Sequence, residues 1–197
     1  IALILEERGN AALQVFRDAC EQAGVACDTE QCTGVVAHEI AEQSELADLV
    51  VIGRAGEHGP WLEGLLGSTT EAVVRRADAP VLVTGTDQLE DDLLLTAYDG
   101  SDHAKSALRL AAQWASEWKA PLHVLGIGGD LAEERLGEAG EYLGAYNIEV
   151  TPVRKQGDPS ETIVEYARAT GSKLLIMGAY GHSKVREWVL GSRTSYA

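Results

Sequence analysis

The chain has 197 residues, of which 45% are apolar, enough for one large domain or two small ones with a true core. Sixteen Lys and Arg against 31 Asp and Glu give a formal net charge of −15, which repels nucleic-acid phosphates, and no basic block offsets it. Neither DNA nor RNA is an expected partner, and no apolar run of the length of a membrane-spanning helix occurs.

The acidity reads as solubility or adaptation to a salty cytoplasm. Cys20, Cys27 and Cys32 are odd in number and lack C-x-x-C or paired Cys/His spacing, so they read as small apolar fillers of a reducing cytosol. His38, His58, His103 and His123 share no metal-ligand spacing. No signal-peptide pattern occurs, and the opening on Ile1 instead of Met suggests that the true start lies upstream.

In chain order, apolar periodicity predicts a helix from about Leu3 to Ala23, a short strand at Val25 to Glu30, a helix at Val36 to Glu45 and a buried strand at Leu49 to Ile52. A helix at Ser68 to Arg76 and a strand at Pro80 to Thr84 follow, then an acidic linker from Gly85 to Asp92. Beyond it come a strand at Leu93 to Ala97, an amphipathic helix at Lys105 to Glu117 and a strand at Leu122 to Ile127. Helix, strand, helix and strand then repeat at Ala132 to Ala145, Ile148 to Val153, Ser160 to Thr170 and Lys173 to Met177. Such alternation implies parallel βαβ units with right-handed crossovers.

The chain also repeats itself. The block Ala47 to Gly56 aligns with Ser172 to Gly181 at an offset of 125, Gly34 to Ala41 with Gly157 to Val164 at 123, and Gly67 to Thr70 with Gly191 to Thr194 at 124. Two homologous halves follow, at 1–85 and 93–197. The strand, helix and strand from Leu93 to Ile127 have no partner in the first half, and the strand at Pro80 to Thr84 has none in the second, so both ends read as truncated.

After the apolar run Lys173 to Met177, Gly178 and Gly181 are followed at nine residues' distance by Gly191, Ser192, Arg193 and Thr194. A strand that empties into a glycine-rich turn and then a hydroxyl-rich helix start offers backbone amides and a positive helix end to phosphates. The spacing Gly-x2-Gly-x9-Gly-Ser resembles the phosphate loop of the ATP-binding branch of the universal stress protein family. The strand ending in Asp99, the turn Gly157, Asp158, Pro159 and the tandem repeat are similar too.

The resemblance implies an α/β fold of two open parallel-sheet halves, Rossmann-like and related to the adenine-nucleotide α-hydrolases. It implies ATP, ADP or AMP as ligand, with or without Mg, at the carboxyl ends of the strands. Asp99 should approach ribose and adenine, Ala97 and Tyr98 lie beside the base, and Met177 line the pocket. Gly178 and Gly181 should admit the phosphates, with Gly191, Ser192, Arg193 and Thr194 holding their oxygens; His182, next to Gly181, reads equally as a phosphate or proton-transfer contact and as a surface-loop histidine. Taken alone, Asp99 reads equally as a turn or helix-cap residue.

In the first half the corresponding positions are Gly53, Gly56, Gly67, Ser68 and Thr69, but Gly56 and Gly67 enclose ten residues where the family has nine, and Glu57 adds a carboxylate. Trp61 and Trp188 read as loop or interface anchors, and Trp114 and Trp118, four apart, as packing residues of one helical face. The sequence lacks G-x4-G-K-[ST], hence the lysine with which P-loop enzymes draw on the β and γ phosphates. The expected protein is a cytoplasmic nucleotide-binding regulatory module in stress survival, its halves paired as a pseudo-dimer or assembled further as a homodimer. The alternatives are a slow ATP-hydrolysing or adenylate-transferring enzyme, and a dimerisation module with relic glycine loops.

Overall fold

The computed structural model describes residues 2–54, 67–85 and 93–179. The elements are α1 (Ala2–Ala23), α2 (Val36–Ser44), β1 (Val50–Gly53), α3 (Ser68–Val74) and β2 (Val81–Thr84) in the first half. The second half holds β3 (Leu94–Ala97), α4 (Asp102–Trp118), β4 (Leu122–Ile127), α5 (Asp130–Leu143), β5 (Val150–Lys155), α6 (Pro159–Thr170) and β6 (Leu174–Met177). All described strand pairs are parallel, with β1 beside β2 and a four-stranded sheet of order β5-β4-β3-β6.

Alternation in β3 divides the second half's core between the two faces of the sheet. Leu94 faces α4 and α5, where Ala104, Ala107, Leu108, Ala111, Ala112 and Ala115 of α4 meet Leu136, Ala139 and Leu143 of α5. Leu95 faces α6 and packs with Leu125 and Ile163. Alanine along the inner side of α4 brings the helix close to the sheet, and each fully buried leucine contributes about 1.5–3 kcal/mol. Helix α4 starts three residues before the expected Lys105, because Ser101 accepts the Ala104 amide at 3.2 Å and caps it. Strand β5 carries Pro152 because it lies at the sheet edge, where a missing N–H is tolerated.

One element expected in the first half is not formed. The strand expected at Val25 to Glu30 is absent: residues 25–32 have no regular structure. By the offset of 123 they correspond to β5, which owes its strand form to pairing with β4. Among the described residues the first half has no counterpart of β3, α4 and β4, so this segment has no ladder to join.

The same gap explains three other features. A groove of about 790 Å³ lies between residues 28–34, α2 and β1, where the second half has β4 and β3 between β5 and β6. Val51 is 60% exposed, whereas Ile176, its equivalent at offset 125, is 7% exposed beneath α4. The buried face of α5, formed by Ala132, Leu136, Ala139 and Leu143, corresponds at offset 123 to Gly9, Leu13, Phe16 and Cys20 of α1, and Phe16 is 53% exposed where Ala139 is 1%.

Strand β2 is half-buried throughout, and Leu82 packs against the α4 and α5 cluster of the other half. Trp114 and Trp118 stack at 5.1 Å between ring centroids and pack on that cluster, as their spacing suggested.

Thr96 in the middle of β3 is fully buried and its hydroxyl makes no hydrogen bond among the described residues. A desolvated, unpaired hydroxyl opposes folding, whereas a methyl of the same shape does not. Thr96→Val is therefore expected to leave stability unchanged or raise it by about 1 kcal/mol, read from the urea midpoint; a loss of that size would reveal a partner for the hydroxyl.

Candidate functional site

Strand β3 is paired on both edges, and its last residue sits on one rung with the strands beside it: Ala97 is opposite Leu125 of β4 and Met177 of β6. Residues on one rung of a parallel sheet share a face, here the face of α6. Strand β3 leads through α4 to β4 on one side of it, while β6 on its other side was reached from β5 through α6. A crevice at this switch in strand order is the expected place for a ligand in an open α/β sheet.

The structure has such a crevice, of about 60 Å³, lined by Ala97, Tyr98, Asp99, Ser101, Ala104, Leu125, Ile127, Pro159, Ile163, Met177 and Gly178. It brings together Ala97, Tyr98, Asp99, Met177 and Gly178, the sequence-predicted residues of the second half that fall within the described part. Gly181, His182, Gly191, Ser192, Arg193 and Thr194 lie outside the described residues. The crevice is smaller than the roughly 300 Å³ at which ligand pockets begin, so it forms the floor of a site. The larger groove of the first half contains none of the predicted residues and occupies the place of two strands.

The floor also contains residues the sequence reading missed. Ile127 follows Leu125 at the carboxyl end of β4 and could have been found by the same strand-end rule. Pro159 and Ile163 come from the first turns of α6, whose approach to this face depends on sheet order, which one half alone does not reveal.

Its chemistry is apolar with an acidic rim. Ala97, Leu125, Ile127, Ile163 and Met177 supply carbon, while Asp99 supplies a carboxylate. Asp99 accepts the Ser101 amide at 3.0 Å through Oδ1, and Gly100 between them takes a φ of +76°. At the start of α6, Asp158 accepts the amides of Ser160 at 2.9 Å and Glu161 at 3.3 Å. Capping side chains thus engage the Ala104 amide of α4 and the Ser160 and Glu161 amides of α6. An apolar slot beside a carboxylate suits a flat heterocycle carrying hydroxyl donors, and a phosphate would need amides from elsewhere.

Tyr98 is 6% exposed, at the junction of crevice and core. Burial, foremost, and the charges of Glu138 and Asp99 raise its phenol, with Arg135 opposing them. The phenol therefore stays neutral through the physiological range. Because folding raises it, the stability it lends is complete below the ordinary value near 10 and is lost as pH climbs through the folded value.

Gly178 has a packing role distinct from the phosphate contact expected of it. A Cβ there would come within 2.8 Å of the carbonyl carbon and Cβ of His103 and 2.9 Å of the Ala104 amide. The glycine allows the end of β6 to touch the first turn of α4. In the first half Gly53 is held similarly near a helix start: Thr70 Oγ1 donates to its carbonyl at 2.8 Å, and the Gly67 amide to that of Arg54 at 2.8 Å. Ser68 and Thr69 are exposed at that start, while Gly56 lies outside the described residues.

Gly178→Ala is expected to push α4 from β6 and destabilise the protein by about 1–3 kcal/mol, the range for a forced overpacking. Chemical denaturation checks this, and an unchanged midpoint would show that the contact yields freely.

Comparison with known proteins matches the sequence pattern described as "Universal stress protein family" to residues 2–85 and 126–197. The universal stress protein Slr1230 of Synechocystis is 28% identical over 98% of this chain and 69% of its own length. The universal stress protein MJ0531 of Methanocaldococcus jannaschii is 44% identical over 42% of the chain and 49% of its own length. Among solved structures, a universal stress protein from Archaeoglobus fulgidus superposes with a TM-score of 0.77 at 26% identity, covering 98% of this chain and 73% of that one. The chain belongs to the universal stress protein family, with one matched segment in each half of its internal repeat.

Proposed function

We propose that the second half, residues 93–197, binds an adenine nucleotide, with the base and ribose in the crevice at the ends of β3, β4 and β6. The observation that carries this reading is the rung Ala97, Leu125 and Met177 with Asp99 beside it, an apolar slot and a carboxylate at the switch in strand order. Asp99 would accept from the ribose hydroxyls. The phosphates of ATP, ADP or AMP would extend toward Gly181, His182 and the hydroxyl-rich stretch from Gly191 to Thr194, as the sequence spacing implies. Among the described residues no group of three or more His, Cys, Asp or Glu is placed to hold a metal, so magnesium would arrive on the phosphates.

The first half, residues 1–85, keeps Gly53, Gly67, Ser68 and Thr69 near one another, but its sequence has ten residues between Gly56 and Gly67 and adds Glu57, so the second half, with the unaltered spacing, is the better candidate. The protein then acts as a cytoplasmic regulatory module whose two halves pair as homologues, the packing of Leu82 on the α4 and α5 cluster being the contact that supports pairing.

Mass analysis of the nucleotide released on denaturing freshly purified protein tests the assignment, with an adenine nucleotide expected. Protein that releases none and binds none in calorimetry would leave the glycine loops as relics. Ala97→Leu fills the floor and is expected to weaken binding at least tenfold, about 1.4 kcal/mol, with the far-ultraviolet circular dichroism unchanged. An unaltered affinity would place the base elsewhere.

Turnover of ATP is expected far below the enzyme median of roughly 10 per second, since the floor offers a carboxylate but no lysine clamp. Steady-state phosphate or pyrophosphate release near that median, abolished by Asp99→Ala, would make the protein an enzyme.

A further inference from the structure

We propose that Cys20 and Cys27 form a site of reversible oxidation, closing to an intramolecular disulfide that fastens the end of α1 to the segment returning along it. The reading rests on the path of the chain there. Helix α1 ends at Ala23, Gly24 reverses the direction with a φ of +67°, and the Val25 amide donates back to the Cys20 carbonyl at 2.9 Å. The returning segment stays beside the helix: Arg17 donates to Thr29 Oγ1, and the Gln31 side chain packs over Gly9. Between these contacts the Cys20 and Cys27 thiols are near enough to act on each other electrostatically, and both residues are half-buried.

The second half supports the juxtaposition independently. At the offset of 123, Cys20 corresponds to Leu143 and Cys27 to Val150, which meet in one core cluster. The two positions are thus neighbours by the plan of the fold, and this chain places a thiol at each. Cys32 is set apart, exposed on the groove, and burial together with the charges of Glu30 and Glu39 raises its thiol.

With hydrogen peroxide as oxidant the step balances. One sulfur attacks as the thiolate, the O–O bond breaks, and a sulfenic acid forms while the released oxygen leaves as water with the thiol's proton. The second thiolate displaces hydroxide from the sulfenic sulfur, the S–S bond forms, and the second proton completes another water. Two thiols give two electrons to one peroxide. Burial, then the neighbouring Cys27, raise the Cys20 thiol, so closure should be slow near neutrality and quicken as pH rises toward the thiol range.

The test treats the full chain with peroxide at pH 7 and pH 9, blocks remaining thiols, and digests with a protease that cuts after glutamate. Cuts after Glu21 and Glu30 place Cys20, Cys27 and Cys32 on three separate peptides. The expected result is a linked pair carrying Cys20 and Cys27, about 2 Da lighter than the sum of its two reduced peptides, formed faster at pH 9, reversed by dithiothreitol, and retained in Cys32→Ser. A link through Cys32, a link only between two chains, or over-oxidised cysteines without a link would overturn the proposal. So would Cys27→Ser still losing two thiols to an internal bond.

Discussion

The second half is organised by one constraint, that β3 must be paired along both edges at once. Its four residues meet β4 from Leu122 to Leu125 on one side and β6 from Leu174 to Met177 on the other, in the same register. A strand enclosed in this way needs apolar side chains on both faces, and Leu94 and Leu95 supply them to separate clusters. The enclosure also fixes the site. Because all three strands run parallel and in register, their carboxyl ends lie at one level. The crevice lined by Ala97, Leu125 and Met177 lies at that level, so the pairing that holds the fold together also positions the pocket.

The first half shows what happens when the same constraint is not met by the described residues. Strand β1 pairs with β2, and α2 and α3 form, yet Val51 and Phe16 are exposed and residues 25–32 form no strand. Each departure is at a position whose counterpart in the second half touches β3, α4 or β4. Local propensity survives in α1, because a helix satisfies its own backbone groups. A strand cannot do so, which is why the segment homologous to β5 is the element lost.

The difference between helix and strand also describes what the sequence made legible. Helices and inner strands were located to within a few residues because periodicity and short apolar runs report local burial. The end of β3 and the carboxylate of Asp99 were found because a strand followed by a turn has a recognisable pattern. The strand at Val25 to Glu30 was misread, since its composition suits a half-buried edge while its existence depends on a neighbour distant in sequence. Pro159 and Ile163 escaped for a related reason: they reach the crevice only after α6 crosses to the other face of the sheet. Gly178 was assigned to phosphate approach, whereas its contact with His103 and Ala104 shows that a glycine in a ligand motif can also be required by helix packing.

Electrostatics then divides the work of the site between floor and loop. With a net charge of −15 the protein repels anions at long range, and the crevice adds the Asp99 carboxylate while Asp158 occupies the first amides of α6. Among the described residues the lining of the crevice includes no Lys or Arg, so in the proposed reading a phosphate would be held from outside this floor. Apolar walls can, however, hold a base, and a carboxylate can accept hydroxyl protons without opposing a neutral base. In the proposed reading the ligand would therefore carry an apolar ring for the floor and a charged tail long enough to leave it. Selectivity for a nucleotide over a bare phosphate would then follow from a lining that, among the described residues, contains no Lys or Arg, and the glycine-rich sequence after β6 would be left to receive the tail.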